Sequence, residues 1–343
     1  MSVTNQRKHD HLRTFRRDPD IERHKCYFDA IQLTHRALPE IALDEVDPST
    51  WFLGKWLSFP LLISSMTGGS EAIFRKINRN LALAAEAEGV AMGVGSQRVM
   101  FTTPAARRSF ELRRYAPTVP LLANLGAVQL NYGFGIAECR VAVKTLAADA
   151  LILHLNPLQE AVQCGGDTNF RGLAAKIGDI GRKLRKPVIV KEVGAGLSLG
   201  DVQLLVKNGI KFLDVAGAGG TSWSRIEHHR RATTETGDNL GLVFQDWGLP
   251  TPLALQALQP LHKKVTLIAS GGIRSGLDMA KAVVLGASLC GLAAPLLAPA
   301  QESAKAVRTV IQRLRREFVT AMFLLGCQRV ETLRGNAQLL ISK

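Results

Sequence analysis

Four side chains that could do chemistry lie within seven residues of one another, at the end of a short apolar run. They are His154, Asn156, Gln159 and Glu160. An imidazole and a carboxylate can exchange protons or bind a metal ion, and carboxamides can orient a polar ligand. The run stops at Asn156-Pro157, so it predicts a buried parallel strand with polar groups at its C-terminal end. A satisfied core histidine before an ordinary loop is the alternative, and the clustering favours a site.

Short apolar runs bounded by Gly, Pro or Asn recur along the chain, and stretches with helical periodicity separate them. The runs cover residues 59–64, 89–95, 120–125, 150–156, 187–193, 212–217, 265–270 and 289–294. Five of the intervening helical stretches cover residues 71–88, 136–147, 170–185, 198–208 and 276–285. Eight strand-helix units predict an α/β fold of the (β/α)8 type, the TIM barrel, since a doubly wound sheet rarely needs so many.

Three segments differ from this repeat. Residues 1–58 are polar and irregular, and predict an N-terminal arm with short helices that precedes a barrel over residues 59–343. The polar stretch 224–239 has little apolar periodicity and lies in the longest connection, which indicates a lid or a disordered loop. A long helix over about residues 300–325 is predicted to close the barrel.

Composition excludes several classes of protein. The chain has 343 residues with 46% hydrophobic residues, no apolar run long enough to span a bilayer and no N-terminal signal segment. We therefore expect a soluble cytoplasmic protein that does not bind or span a membrane. The five cysteines form no CxxC pair, so neither a disulfide framework nor a zinc cluster is indicated.

The formal net charge of +14 predicts an anionic partner, either RNA, an acidic lipid or a phosphorylated small molecule. Aromatic residues are only 6% of the chain and the basic residues are dispersed along it. Surfaces that bind nucleic acid combine a continuous basic face with exposed aromatic rings, so we expect no nucleic-acid partner.

Polar or glycine-rich motifs follow seven of the eight predicted strands. They occupy residues 65–69, 96–98, 124–126, 154–160, 191–192, 217–222 and 270–274. Because barrel sites lie at the C-terminal ends of the strands, we expect these motifs to meet at one mouth.

Two of these motifs indicate a phosphorylated cofactor. Gly271-Gly272 with Arg274 follows the seventh strand, and residues 291–294 end the eighth, where barrels commonly bind phosphate at a helix N-terminus. Two ordinary tight turns are the alternative. Lys191 ends a run of valines, where a lysine is costly unless it faces an anion or an electron-rich ring, or serves as a Schiff-base lysine. A phosphate site and such a lysine together suit flavin mononucleotide, FMN.

In these motifs, the sequence resembles the type 2 isopentenyl-diphosphate isomerases, the form that depends on FMN and Mg²⁺. The motifs that carry the resemblance cover nearly the whole chain. They are Arg7-Lys8 with His11, residues 65–69, 95–98 and 123–126, His154-Leu155-Asn156 with Gln159-Glu160, and residues 191–194, 219–223, 247–248 and 270–274.

The resemblance implies a role for each of these residues. The substrate diphosphate would contact Arg7, Lys8, His11, Ser96, Gln97, Arg98, His154 and Gln159, of which Gln159 and His154 would be catalytic. FMN would contact Ser65, Met66, Thr67, Gly68, Ser96, Asn124, Lys191, Thr221, Gly272, Ile273, Arg274, Ala293 and Ala294. Glu160 would bind Mg²⁺, because this ion needs only one or two carboxylates beside phosphate oxygens. NADPH as reductant and a homo-oligomer, tetramer or octamer, are also implied.

The implied reaction moves a double bond with no net gain or loss of electrons. One proton is added at the terminal alkene carbon and another is lost from the carbon next to the diphosphate-bearing one. A reduced flavin that acts as acid and base, through N5, is the mechanism that we hypothesise. Gln159 is a poor proton donor, so we expect it to orient the substrate over the ring.

Two other FMN enzymes share the barrel and the glycine motifs. A 2-hydroxy-acid oxidase needs a histidine base before its Gly-Gly-Arg loop, and an inosinate dehydrogenase needs a cysteine nucleophile in a loop. Here Gly219-Gly220 is followed by Thr221-Ser222-Trp223, and the candidate Cys290 lies inside the last predicted strand. Both alternatives are therefore weaker than the isomerase.

Overall fold

The computed structural model describes residues 10, 13–14, 17–23, 27–231 and 239–341. An antiparallel hairpin, β1 (Thr50–Phe52) and β2 (Lys55–Leu57), precedes eight strands that close a parallel barrel. The barrel strands are β3 (Leu61–Ile63), β4 (Ala91–Gly93), β5 (Leu121–Gly126), β6 (Ala150–Leu155), β7 (Val188–Glu192), β8 (Phe212–Asp214), β9 (Thr266–Ser270) and β10 (Leu289–Leu292). Each of the eight predicted runs contains one of them, and the TIM barrel is confirmed.

Helices alternate with the barrel strands. They are α1 (Ala72–Glu88), α2 (Val99–Thr102), α3 (Ile136–Leu146), α4 (Pro157–Val162), α5 (Leu173–Lys183), α6 (Leu199–Lys207), α7 (Trp223–Arg231), α8 (Leu240–Val243), α9 (Thr251–Ala257), α10 (Gly276–Val284), α11 (Ala294–Glu302), α12 (Ala304–Leu324) and α13 (Val330–Leu333). The long helix predicted over about residues 300–325 is α12, and a separate helix, α11, precedes it. Ser303 separates them in extended backbone, and its hydroxyl caps α12 by accepting from Ala306 N at 3.1 Å.

The hairpin closes the N-terminal end of the barrel, which the sequence did not indicate. Its Phe52 and Leu57 are buried in the barrel interior with Leu62, Ile152 and Ile268 from the strands. Trp51 and Trp56, which are paired on the other face of the hairpin, are exposed. This alternation is that of a half-buried hairpin, but it covers only three residues per strand, too few to detect in an irregular arm.

The predicted lid contains a helix, α7, instead of a loop. Ile226 and Glu227 on this helix are buried against the mouth of the barrel. The run of Arg and His residues hid its periodicity, since only one apolar side chain follows Trp223 within the helix. Residues 232–238, also within the predicted lid, lie outside the described residues.

Two expectations from composition can be compared with the described part of the chain. No helix there is both long and apolar enough to cross a membrane. Of the cysteines within it, Cys139, Cys290 and Cys327 are buried free thiols and Cys164 is an exposed one.

Candidate active site

A cavity of about 380 Å³ opens at the C-terminal mouth of the barrel, and all eight strand ends contribute to its lining. Most of the residues that the sequence predicted for the site line it. These are Ser65, Met66, Thr67, Ser96, Arg98, Asn124, His154, Gln159, Glu160, Lys191, Thr221, Gly272, Arg274, Ala293 and Ala294. The register explains this convergence, because His154 is paired with Lys191, and Lys191 with Asp214, on adjacent parallel strands.

Three predicted site residues do not line the cavity. Gln97 is fully buried; its Nε2 donates to Ala142 O at 3.0 Å and its Oε1 accepts from Asn124 N at 3.0 Å. Its amide therefore joins β5 to the segment after β4, and its placement against the diphosphate is corrected. Gly68 packs under the Phe110 ring, and Ile273 is 1% exposed in the core. The predicted Arg7, Lys8 and His11 lie outside the described residues.

Lys191 is held by a buried carboxylate and a buried hydroxyl. Its Nζ donates to Asp214 Oδ2 and to Ser270 Oγ, both at 2.8 Å, and Ser270 Oγ donates to Asp214 Oδ1 at 2.6 Å. A lysine amine held by a carboxylate and a hydroxyl fits a role in stabilising negative charge better than that of a Schiff-base nucleophile. Sequence reasoning missed Asp214, although it is an acidic residue at the end of an apolar strand.

The glycine turns after β8 and β9 bring two backbones into close approach. A Cβ at Gly220 would lie 2.9 Å from Gly272 N, and one at Gly271, where φ is +94°, would lie 2.1 Å from Gly217 O. Such a cradle exposes backbone to a ligand, and the Arg274 guanidinium borders it, so the residues fit the phosphate of FMN.

The predicted contribution of a helix N-terminus to the phosphate site is not found at α10. The Arg274 and Ser275 amides both donate to the Asp278 carboxylate at 3.0 Å, and Ser275 Oγ accepts from Asp278 N. This capping box occupies the first amides of the helix. The positive groups beside the cradle are the Arg274 guanidinium, which also contacts the Glu22 carboxylate, the backbone amides of the glycine turns, and the N-terminus of α11, which begins at Ala294 on the cavity wall.

A chain of hydrogen bonds orients His154. Asn124 Nδ2 donates to Ser65 Oγ at 2.8 Å, so its Oδ1 accepts from His154 Nδ1, 2.7 Å away. This arrangement places the proton of the neutral imidazole on Nδ1. The other ring nitrogen, Nε2, lies near Gly126, and the His154 side chain forms part of the cavity wall.

Gln159 is held by a residue that sequence reasoning missed. Its Nε2 donates to Glu227 Oε1 at 2.8 Å across 68 residues of sequence. Glu227 is fully buried on α7, and its other carboxylate oxygen accepts from the Arg230 guanidinium. The only sequence signal was an acidic residue within a basic stretch, which most often marks a solvated face.

Glu160 is surrounded by amides that leave oxygen atoms without hydrogen bonds. Its carboxylate accepts from Asn156 Nδ2 and Asp167 N, both at 2.8 Å, and from Gln163 Nε2. Within the described residues, the buried Oδ1 of Asn156 and Oε1 of Gln163 have no hydrogen-bond partner. One carboxylate with neutral oxygens beside it fits Mg²⁺, although no group of three or more acidic, His or Cys residues there could hold a metal alone.

Glu192 organises the loop behind this wall. Its Oε2 accepts from four consecutive amides, those of residues 193–196, at 2.5 to 3.0 Å. Burial raises the pKa of this carboxyl to about 7, and the amide hydrogen bonds oppose the shift. Arg23, which donates to Gly194 O at 3.0 Å, joins the same loop to the N-terminal segment.

The chain is similar to known proteins over most of its length. Residues 168–339 match the model of the FMN-dependent dehydrogenase family. Proteins named isopentenyl-diphosphate delta-isomerase from Paracoccus zeaxanthinifaciens and Hydrogenovibrio crunogenus are 58% and 54% identical, over 97% and 99% of this chain and 96% and 99% of theirs. The Nostoc protein of that name is 45% identical, over 98% of this chain and 96% of its own.

Solved structures are similar in fold at low sequence identity. A lactate oxidase of Pediococcus acidilactici has a TM-score of 0.68 at 18% identity, covering 93% of this chain and 86% of its own. A mandelate oxidase with a monooxide FMN adduct has a TM-score of 0.62 at 16% identity, covering 93% of this chain and 90% of its own. These values support the barrel alone, whereas the relatives at 45–58% identity show the family. The chain belongs to the isopentenyl-diphosphate delta-isomerase family.

Proposed function

We propose that this protein converts isopentenyl diphosphate into dimethylallyl diphosphate, using reduced FMN and Mg²⁺ at the mouth of the barrel. The observation that carries the proposal is that one cavity joins two chemically different walls. We name the first the flavin wall, which is Lys191, Asn124, the glycine turns and Arg274. The second, the substrate wall, is His154, Gln159 and Glu160.

The substrate diphosphate needs several convergent donors beside the metal. Arg98 lines the cavity, and its guanidinium is held by Asp167 at 2.7 Å, which leaves other N–H groups for a ligand. Ser96 and, when protonated, Nε2 of His154 would add donors. Arg7 and Lys8 of the arm would complete this set, in keeping with the net charge of +14.

Mg²⁺ would be held by the Glu160 carboxylate and by the substrate. The side-chain amides of Asn156 and Gln163 can rotate to turn their oxygens toward the metal or its water ligands. Such a rotation would remove two buried oxygens that have no hydrogen bond within the described residues.

Reduced FMN, when bound, would supply an acid-base group and an electron-rich ring beside the alkene. Lys191, fixed by Asp214 and Ser270, would place a positive charge next to that ring and stabilise its anionic form. Asn124 and Ser65 would offer neutral hydrogen bonds, and the enclosed mouth would exclude water from the reacting carbons.

Gln159 would orient the alkene, because a carboxamide is a poor proton donor. Glu227 on the lid helix holds the Gln159 amide nitrogen, and Asn156 Nδ2 donates to the amide oxygen at 3.2 Å, so the carboxamide is oriented from both ends. The reaction itself adds a proton to the terminal carbon and removes one from the carbon beside the diphosphate-bearing one. Substrate and product are at the same oxidation level, so the reaction has no net gain or loss of electrons.

Other parts of the proposal rest on the resemblance. NADPH would reduce the flavin, the protein would be cytoplasmic, and it would assemble as a tetramer or octamer of identical chains. Residues 1–58 would serve as an arm that contributes to the substrate site of a barrel over residues 59–343.

An anaerobic assay tests the proposal. The purified protein is incubated with FMN, Mg²⁺, NADPH and isopentenyl diphosphate, and the products are separated by chromatography. We expect dimethylallyl diphosphate, and no stoichiometric consumption of NADPH once the flavin is reduced. No product with reduced flavin confirmed as bound would overturn the assignment. Flavin reduction by a 2-hydroxy acid would instead support the oxidase alternative.

A further inference from the structure

Residues 18–23, the strap, run across the outside of the cavity mouth and join several of its segments. The Arg23 amide donates to Gly220 O at 3.1 Å, which attaches the strap to the loop after β8. The Arg23 guanidinium donates to Gly194 O at 3.0 Å and to Gln245 O at 2.8 Å. The strap is thus bound to the loops on both sides of α7.

Asp18 binds the outer face of α7 through two side chains. Arg225 Nε donates to Asp18 Oδ2 at 2.6 Å, and Arg225 Nη2 reaches Oδ1 at 3.2 Å. His229 Nε2 lies 2.5 Å from the same Oδ2. The Asp18 side chain is 11% exposed and that of Arg225 19%, so solvent screens this cluster less than an ordinary surface pair. The Arg225 hydrogen bond holds the pKa of Asp18 at about 2, so the carboxylate is charged at neutral pH.

The two faces of α7 carry different contacts. Arg225 and His229 are four residues apart and share the face toward the strap. Glu227 lies midway between them in sequence, on the opposite face, where it contacts Gln159. A helix of nine residues is too short to be stable alone, so its position depends on contacts of this kind.

We propose that Asp18 is a positioning residue, which holds α7 over the mouth and so keeps Glu227 in contact with Gln159. The inference rests on the proposed function for its effect on turnover, but its structural part does not. Asp18 is not among the described residues that line the cavity. It acts through Arg225 and the helix.

A double-mutant cycle on the FMN-loaded enzyme tests this coupling. Asp18→Asn is expected to lower kcat about tenfold in the parent, and less than twofold in a Glu227→Gln background, because the contact it positions is already lost. Asp18→Glu, which keeps the charge, should recover most of the activity. Asp20→Asn is the matched control, since Asp20 reaches the same Arg225 at 3.2 Å but is 60% exposed; we expect less than a twofold change.

Hydrogen exchange supplies a readout that does not depend on activity. Asp18→Asn should raise exchange in peptides covering α7 about tenfold and leave those covering β5 and β6 unchanged. Unchanged exchange at α7, or an equal loss of kcat in both backgrounds, would overturn the proposal. An inactive parent with the expected exchange difference would contradict the proposed function instead, and leave the positioning role standing.

Discussion

The flavin wall and the substrate wall of the cavity are built in different ways. Lys191, Asp214 and Ser270 stand at the ends of neighbouring parallel strands, so the barrel itself brings them within 2.8 Å. Gln159 and Glu227 lie on helices outside the sheet and meet only because α7 folds over the mouth. The Lys191 cluster of the first wall depends on the register of the strands, and the Gln159 contact of the second depends on the strap and the lid helix.

Removing the charge at the centre of the flavin wall should have the largest effect. Lys191→Met leaves the buried Asp214 carboxylate without its cation, and breaking such a pair costs about 3–5 kcal/mol. We expect a loss of that order in the free energy of unfolding, measured by urea denaturation. Asp214→Asn added to Lys191→Met should recover part of the loss. An unchanged urea midpoint in Lys191→Met would show that the barrel tolerates this wall without its ion pair.

The substrate wall should respond in turnover and not in cofactor binding. Glu227→Gln removes the carboxylate that accepts from both Gln159 and Arg230, so the Gln159 amide is held only from its oxygen side, by Asn156 Nδ2 at 3.2 Å. We expect kcat to fall about 100-fold, within the range that positioned polar groups contribute. The dissociation constant of FMN, followed by flavin fluorescence, should change less than twofold. A matching loss of FMN affinity would mean that the two walls are not separable.

The metal part of the substrate wall should give a smaller effect. Glu160→Gln removes the carboxylate charge at the proposed Mg²⁺ site. Asn156 Nδ2 and Asp167 N donate to different oxygens of Glu160, so the single amide oxygen can keep only one of these two contacts. We expect the Mg²⁺ concentration for half-maximal rate to rise about tenfold, with FMN binding unchanged. The rate is measured over a Mg²⁺ series at saturating substrate. An unshifted Mg²⁺ series, or release of the flavin, would place the metal elsewhere.

The same division explains which parts of the site could be predicted from the sequence. Residues next to strand ends, such as Asn124 and Lys191, were predicted to face one mouth, and they line it. Gln97 was misplaced because the resemblance named its motif but not the direction of its side chain, which turns into the core.

Long-range partners had no such signal. Glu227 contacts Gln159 across 68 residues, and Asp18 contacts Arg225 across 207. No periodicity links residues that far apart, so residues 224–239 were predicted as a lid or a disordered loop, and Asp18 only as part of an irregular N-terminal arm. These contacts follow from the tertiary position of α7, which the local sequence does not determine.

The smallest effect is expected at Glu192, which holds the loop behind the cavity and whose pKa lies near neutral pH. Its pKa is raised by burial from 4.5 to about 7, so the folded protein binds a proton that the unfolded chain has released over this range. The contribution of Glu192 to stability is therefore present below about pH 4.5 and is lost as the pH rises through about 7. Glu192→Gln removes this pH-dependent contribution to stability while keeping an acceptor for the amides of residues 193–196. The thermal midpoint of the parent minus that of the variant should fall by about 2 °C between pH 5 and pH 8. A difference that is constant or rises over this range would show that the four amides keep the carboxylate charged, and that the loop behind the two walls is a fixed anion nest.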